Sequence, residues 1–190
     1  MPIYYTVWFG VVGHTLMNST RWTLAIASAI ALAFFTILVV IPFMTTTLSD
    51  GVASYSQGNF AKAYKELKPL ADDGEPTAQY MLGEMFRMGQ GVKKDEPAAV
   101  KWYKKAAEGG SPEGQYALGM CYATGVGTEV DMISAYQWLS LSIIRLASWQ
   151  NERRTLAAET RAKLLTVMDQ SDVEKAKALV LTWDRKFGGS

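Results

Sequence analysis

Histidine and cysteine are nearly missing from this 190-residue chain, which holds one of each, His14 and Cys121. A single cysteine excludes an intramolecular disulfide and a thiolate zinc cluster, so a reducing and an oxidising compartment suit the chain equally well. His14 stands beside a glycine with no second metal-ligating residue, and no histidine follows it, so nothing downstream can activate Cys121 as a nucleophile. Charge is missing from the start of the chain, where Arg21 is the only Lys, Arg, Asp or Glu before Asp50. Over the whole sequence 19 basic and 18 acidic residues nearly cancel without forming a basic stripe, which argues against a nucleic-acid partner. Apolar residues make up 49% of the chain, enough to bury a core, which excludes a disordered tail.

The uncharged stretch is also the most apolar. Residues 22–44 read WTLAIASAIALAFFTILVVIPFM, longer than the roughly 20 residues that cross a bilayer as a helix, and are read as a transmembrane helix. Trp22 and Arg21 stand as interface anchors, and Pro42 lies near the exit, where water can replace a lost hydrogen bond. A signal peptide cut after Ala53 is the alternative, but its apolar region is usually about 7 to 15 residues. Arg21 on one side and Asp50 on the other put the N-terminus in the cytoplasm by the positive-inside rule. For a Gram-negative bacterium that places the remainder in the periplasm, held at the inner membrane. Residues 1–21 form an aromatic lead too short to span, and Met17, followed by NSTRW, would serve equally well as the true start.

Sliding the sequence on itself exposes a period of 36, with the segment from Ala78 lying over the segment from Gly114. Gln79 matches Gln115, Tyr80 Tyr116, Leu82 Leu118, Gly83 Gly119, Gly89 Gly125, Gly91 Gly127, Asp95 Asp131, Ala99 Ala135 and Trp102 Trp138. Ala78, Leu82 and Phe86 give a first helix one apolar stripe, and Gly83 on that helix implies close helix packing. Gly89 and Gly91 stop this helix, while Asp95 and Pro97 open a second, whose buried stripe is Ala99, Trp102, Tyr103 and Ala106. Such a pair cannot bury its face alone and stacks on a neighbour.

This pattern resembles the Sel1-like repeat, a relative of the tetratricopeptide repeat. The resemblance implies an all-α fold, an α-solenoid of helix-turn-helix repeats, preceded here by the transmembrane helix. Residues 45–149 are assigned to the repeats, as a half repeat at 51–77 and full repeats at 78–113 and 114–149. In the half repeat Ala63, Leu67 and Ala71 take the places of Ala99, Tyr103 and Ala107. Residues 150–190 resemble the family's closing helices, the second opened by a Ser171–Glu174 capping box with Ala178, Val180, Leu181 and Trp183 as its apolar side.

No nucleophile with its base, paired carboxylates or metal cluster is legible, so the chain is expected not to be an enzyme and to need no cofactor, metal or small-molecule substrate. The glycines of GQG and GVG lack the Lys-Ser/Thr of a phosphate loop, and the repeat accounts for them. Cys121 takes the place of Met85 and reads as a core residue, as do Trp102 and Trp138. Arg145, Arg153, Arg154, Arg161 and Lys163 form a modest basic cluster. Met81, Met85 and Met88 recur at helical spacing, with Met120 in the next unit. They are read as a flexible contact patch for proteins, against the alternative of a core stripe. The expected role is a membrane-anchored scaffold or adaptor that binds partner proteins through a surface of successive first helices. The alternative is an accessory subunit of a larger integral membrane complex, with Ala25, Ala27, Ser28, Ala29, Ala31 and Ala33 permitting close packing against other spans.

Overall fold

The computed structural model describes residues 47–187, so residues 1–46, including the apolar run, lie outside the described part. Among the described residues the chain forms eight helices: α1 Leu48–Ser56, α2 Phe60–Asp72, α3 Pro76–Met88, α4 Glu96–Glu108, α5 Pro112–Thr124, α6 Met132–Arg145, α7 Asn151–Val167 and α8 Gln170–Phe187. None of these is long and apolar enough to cross a membrane.

The same local chemistry starts and stops the helices in successive units. Asp95 and Asp131 cap α4 and α6, each accepting from backbone N–H groups of the first turn, at 2.9 Å from Ala98 and 3.0 Å from Ser134. Glu75 and Ser111 do this for α3 and α5, each followed by proline, whose missing N–H costs nothing there. These caps put each unit's start at Pro76 and Pro112, slightly before the boundaries at 78 and 114. At the other end Gly89 and Gly125, at φ 71° and 74°, take the left-handed conformation of a C-cap.

Helices alternate between two layers, α1, α3, α5 and α7 in one and α2, α4, α6 and α8 in the other. Each first helix packs on the second helix of its own unit and of the preceding unit. α7 extends the first layer by touching α5 and α6, and α8 docks on α6. The core runs between the layers through Ala63, Leu67, Leu82, Ala99, Tyr103, Leu118, Ala135 and Leu139, all at most 1% exposed. Fully burying a leucine or tyrosine of this kind is worth about 1.5 to 3 kcal/mol, more than any surface pair here supplies.

Three contacts recur from unit to unit and fix the stacking. A Cβ on Gly83 would lie 2.4 Å from the Tyr103 ring, and one on Gly119 2.8 Å from Leu139, so the glycines let first and second helices approach. A Cβ on Gly51 would lie 2.5 Å from Leu67 in the same manner. That contact makes α1 a genuine first helix, so the stretch assigned as a half repeat, 51–77, holds most of α1 with all of α2 and belongs to a complete helical pair that starts at Leu48. The period misses α1 because its connection, residues 57–59, is shorter than the later one at 89–95. Gly91 and Gly127 do not cap helices. At φ 71° and 72° each lays its backbone on the opening turn of the previous unit's second helix, 2.6 Å from the Phe60 carbonyl and 2.5 Å from that of Glu96 for an added Cβ. Finally, the buried amides of Gln79 and Gln115 donate to the carbonyls of Ala71 and Ala107, at 3.0 and 3.3 Å, tying each first helix to the end of the second helix before it.

The tryptophans are not equivalent. Trp138 is 8% exposed, its ring edge-on to Trp183 at 6.3 Å, because α8 covers it. Trp102 is only half-buried at the layer's surface, with the Lys105 ammonium 4.2 Å from its ring centroid. Its expected place in the buried stripe of α4 goes to Ala107. The Ser171 capping box is also absent. α8 begins two residues earlier than that cap would start it, at Gln170, where Asp169 O accepts from the N–H groups of Asp172 and Val173. Its inner side is Val173, Ala176, Val180 and Trp183, and Ala178 and Leu181 face outward.

Candidate functional site

Two adjoining cavities open along the face of the first-helix layer. One, of about 340 Å³, is lined by Tyr80, Glu84, Tyr116, Met120, Val126 and Arg153 among others. The next, of about 450 Å³, is lined by Val52, Tyr55, Tyr80, Glu113, Trp149 and Arg153. They share Tyr80, Glu84 and Arg153 and so form one groove across α1, α3 and α5, closed on its far side by the start of α7.

The floor of the groove holds a polar triad. Buried Tyr103 donates its hydroxyl to Glu84 Oε1, and Arg87 donates to the same carboxylate through Nη2 at 2.7 Å and Nε at 3.3 Å. Burial first, then the Glu84 charge, pushes the Tyr103 phenol well above its usual range, so it acts as a donor at any physiological pH. The Glu84 hydrogen bond and charge hold Arg87 firmly protonated. Burial also pushes Tyr80 up to about 12. In the next unit the positions of Glu84, Arg87 and Tyr103 are occupied by Met120, Ala123 and Leu139, which pack together. The polar set is thus replaced as a whole, because a buried phenol without an acceptor and a carboxylate without a donor each cost more than either apolar residue.

At the mouth stands Trp149, 81% exposed, an unusual position for so large an apolar side chain. It precedes Gln150, which donates to Glu113 Oε1 at 2.7 Å and accepts from the Ala147 N–H at 3.2 Å, so the short connection into α7 is tied to α5. Arg153 follows one turn later, its guanidinium 5.9 Å from the Tyr80 ring centroid.

The methionines do not form one contact patch. Met81 and Met85, 9% and 0% exposed, belong to the core between α2 and α3, where flexible thioethers fill space left by Ala63 and Ala71. Met88 is exposed beyond them; Met81 reaches the edge of the second cavity and Met120 lines the first, so two of the four meet the groove at separate places. Cys121 is 6% exposed and burial pushes its thiol up to about 11, as expected of a core residue. The basic cluster disperses: Arg145 pairs with Asp184 at 2.9 Å, Arg161 lies over Tyr136, and Arg153 alone enters the groove. Missing from the sequence reading are Glu84, Arg87 and Trp149. Tyr80 and Tyr116 were legible as periodic positions, and their intermediate burial makes them lining residues rather than core.

Comparison with known proteins bears on the helical pairs themselves. The Sel1 repeat family model matches residues 76–111 and 112–143. Residues 76–143 carry Sel1 repeats. A solved protective antigen present in uropathogenic Escherichia coli strains, displaying an SLR fold, is 29% identical, with a TM-score of 0.63 over 73% of this chain and 29% of that one. A Sel1 repeat protein from Oxalobacter formigenes is 32% identical over 50% of this chain and 28% of that one, with a TM-score of 0.46. The chain thus spans under a third of the length of either solved structure. No curated protein matches it. The Sel1 match covers α3 to α6, two of the stacked helical pairs, a fold typical of protein-interaction scaffolds.

Proposed function

We propose that this protein is a non-catalytic scaffold that holds partner proteins in the groove of its Sel1 repeats while residues 22–44 tether it to the bacterial inner membrane, repeats on the periplasmic side. The observation that carries the binding part is the exposed Trp149 standing over a groove lined by Tyr55, Tyr80 and Tyr116. Tyrosine and tryptophan supply large contact area at small entropy cost and dominate protein-binding surfaces. The tether is supported by the uncharged run and by Arg21 before it.

The binding part is tested by co-purification with the full-length protein carrying Trp149→Ala or Tyr116→Glu. Loss of the co-purifying partners with an unchanged melting temperature supports it, and full retention by both variants overturns it. For the tether, alkaline phosphatase fused after Ser190 is expected to be active, and an inactive fusion at normal expression refutes the orientation. A discrete large complex on a native gel after mild detergent extraction would shift the role from adaptor to subunit.

A further inference from the structure

The groove's charges are not equally satisfied. Glu84 already has two partners, Arg87 and the Tyr103 hydroxyl. Glu113 accepts from Gln150 at 2.7 Å and from Ser111 at 3.3 Å. Arg153 is different. Among the described residues it makes no ion pair and donates no hydrogen bond to a side chain, and its guanidinium rests over Tyr80, partly buried. It sits where the two cavities meet, with apolar lining on one side from Ala117, Met120 and Val126 and on the other from Val52, Tyr55 and Trp149. Glu84 and Glu113 also line the cavities but are hydrogen-bonded elsewhere. Arg153 is thus a cation with no ion-paired carboxylate at the junction of two largely apolar hollows, a half-built recognition site, since guanidinium forms its strong contacts with carboxylates.

From this we infer that the groove recognises an extended segment of a partner protein in which an internal Asp or Glu pairs with Arg153, with an apolar or aromatic side chain on each side entering the two cavities. The carboxylate is that of a side chain and not of a chain terminus, because the groove continues past Arg153 in both directions and the ligand backbone passes over it. Acidic segments are favoured over basic ones because Glu84 is already paired with Arg87 and Glu113 is hydrogen-bonded to Gln150 and Ser111 at the edge of the groove, while the central Arg153 has no ion pair. This inference rests on the reading of the groove as the contact surface.

The test selects random linear peptides displayed on phage against full-length protein, then measures the affinity of a selected peptide, made with an amidated C-terminus, by fluorescence anisotropy. The expected peptides carry an internal acid flanked by apolar or aromatic residues. Arg153→Ala is expected to weaken binding about tenfold, the range of a partly desolvated charge pair. Arg153→Glu is expected to abolish it and to regain binding to the peptide whose acid is changed to lysine. Raising salt should weaken the wild-type complex in parallel. Because Arg153 is partly exposed, melting curves are expected to stay within a degree or two, and the salt series keeps the test valid without any variant. If selected peptides lose binding with Trp149→Ala but lack an acid, or ignore Arg153→Glu and salt, the inference fails and the groove reading stands. If they ignore Trp149→Ala and Tyr116→Glu as well, or if no peptide is selected, both fail. If the acid is required only as a free C-terminus, the internal-carboxylate inference is overturned.

Discussion

Changing Glu84 and Tyr103 to the residues of the next repeat, Met and Leu, separately and together, tests whether the polar triad is one unit. Glu84→Met alone leaves the Tyr103 hydroxyl buried without an acceptor, since Tyr103 is 0% exposed and Glu84 is its partner. A stranded buried donor costs about 1 to 3 kcal/mol, and the lost Arg87 pair adds little because that guanidinium is 40% exposed. Tyr103→Leu alone opens space beside Gly83, whose absent Cβ is what admits the ring, and such large-to-small changes cost about 2 to 4 kcal/mol. In the double variant the stranded hydroxyl does not exist, and Met packs on Leu as Met120 does on Leu139. The pair should therefore cost about 1 to 2 kcal/mol less than the two single changes added together. Urea unfolding followed by circular dichroism at the four corners of the cycle measures this. Additivity within about 0.5 kcal/mol would show that the two residues do not depend on each other, and the account of the triad would be wrong.

Trp138→Ala should destabilise by about 3 to 5 kcal/mol and Trp102→Ala by about 1 to 2, because only the first is enclosed; equal losses in thermal melts would contradict that distinction. Gly127→Ala should cost more than about 2 kcal/mol, as a Cβ there meets the Glu96 carbonyl at 2.5 Å and φ is positive, and a neutral result would refute the stacking contact. Tyr80 ionises at about 12 when folded against 10.0 ordinarily, so the unfolded chain releases its proton first. Its contribution is whole below pH 10 and is lost as pH rises towards 12; Tyr80→Phe should flatten the fall in urea midpoint measured up to pH 11. Cys121, buried with its thiol at about 11, should resist a disulfide reagent in the native protein and react at once in denaturant; prompt native labelling would place it outside the core.

The parts of this fold that a sequence can announce are those repeated at a fixed spacing. Leu82 with Leu118, Gly83 with Gly119 and Asp95 with Asp131 were legible because each does the same job in both units: core, close approach and cap. The period also located Ala63, Leu67 and Ala71 correctly, yet it passed over α1, whose shorter connection breaks the spacing while Gly51 keeps the contact. Trp102 and Trp138 show where periodicity misleads, for exposure depends on whether a later helix covers the ring, and only Trp138 has α8 over it. The groove was legible as a place, the surface of successive first helices, but not in its chemistry. Met85 turned inward into the core shared with Ala63, Leu67 and Ala71 of the adjacent second helix, and Met81 joins that core while touching the second cavity at its edge. Glu84 and Arg87 break the repeat, so comparing units hid them, and Trp149 and Arg153 come from the segment after the last matched residue.

The central claim is that partners lie in the groove of the first helices, and site-specific photo-crosslinking in living cells reads it directly. A photoreactive phenylalanine analogue placed at Trp149 or Thr124, both exposed at the groove, is compared with one at Lys101, exposed on α4 in the other layer. Discrete adducts from positions 149 and 124, absent from position 101, are the predicted result. Adducts arising equally from 101, or from 101 alone, would contradict it.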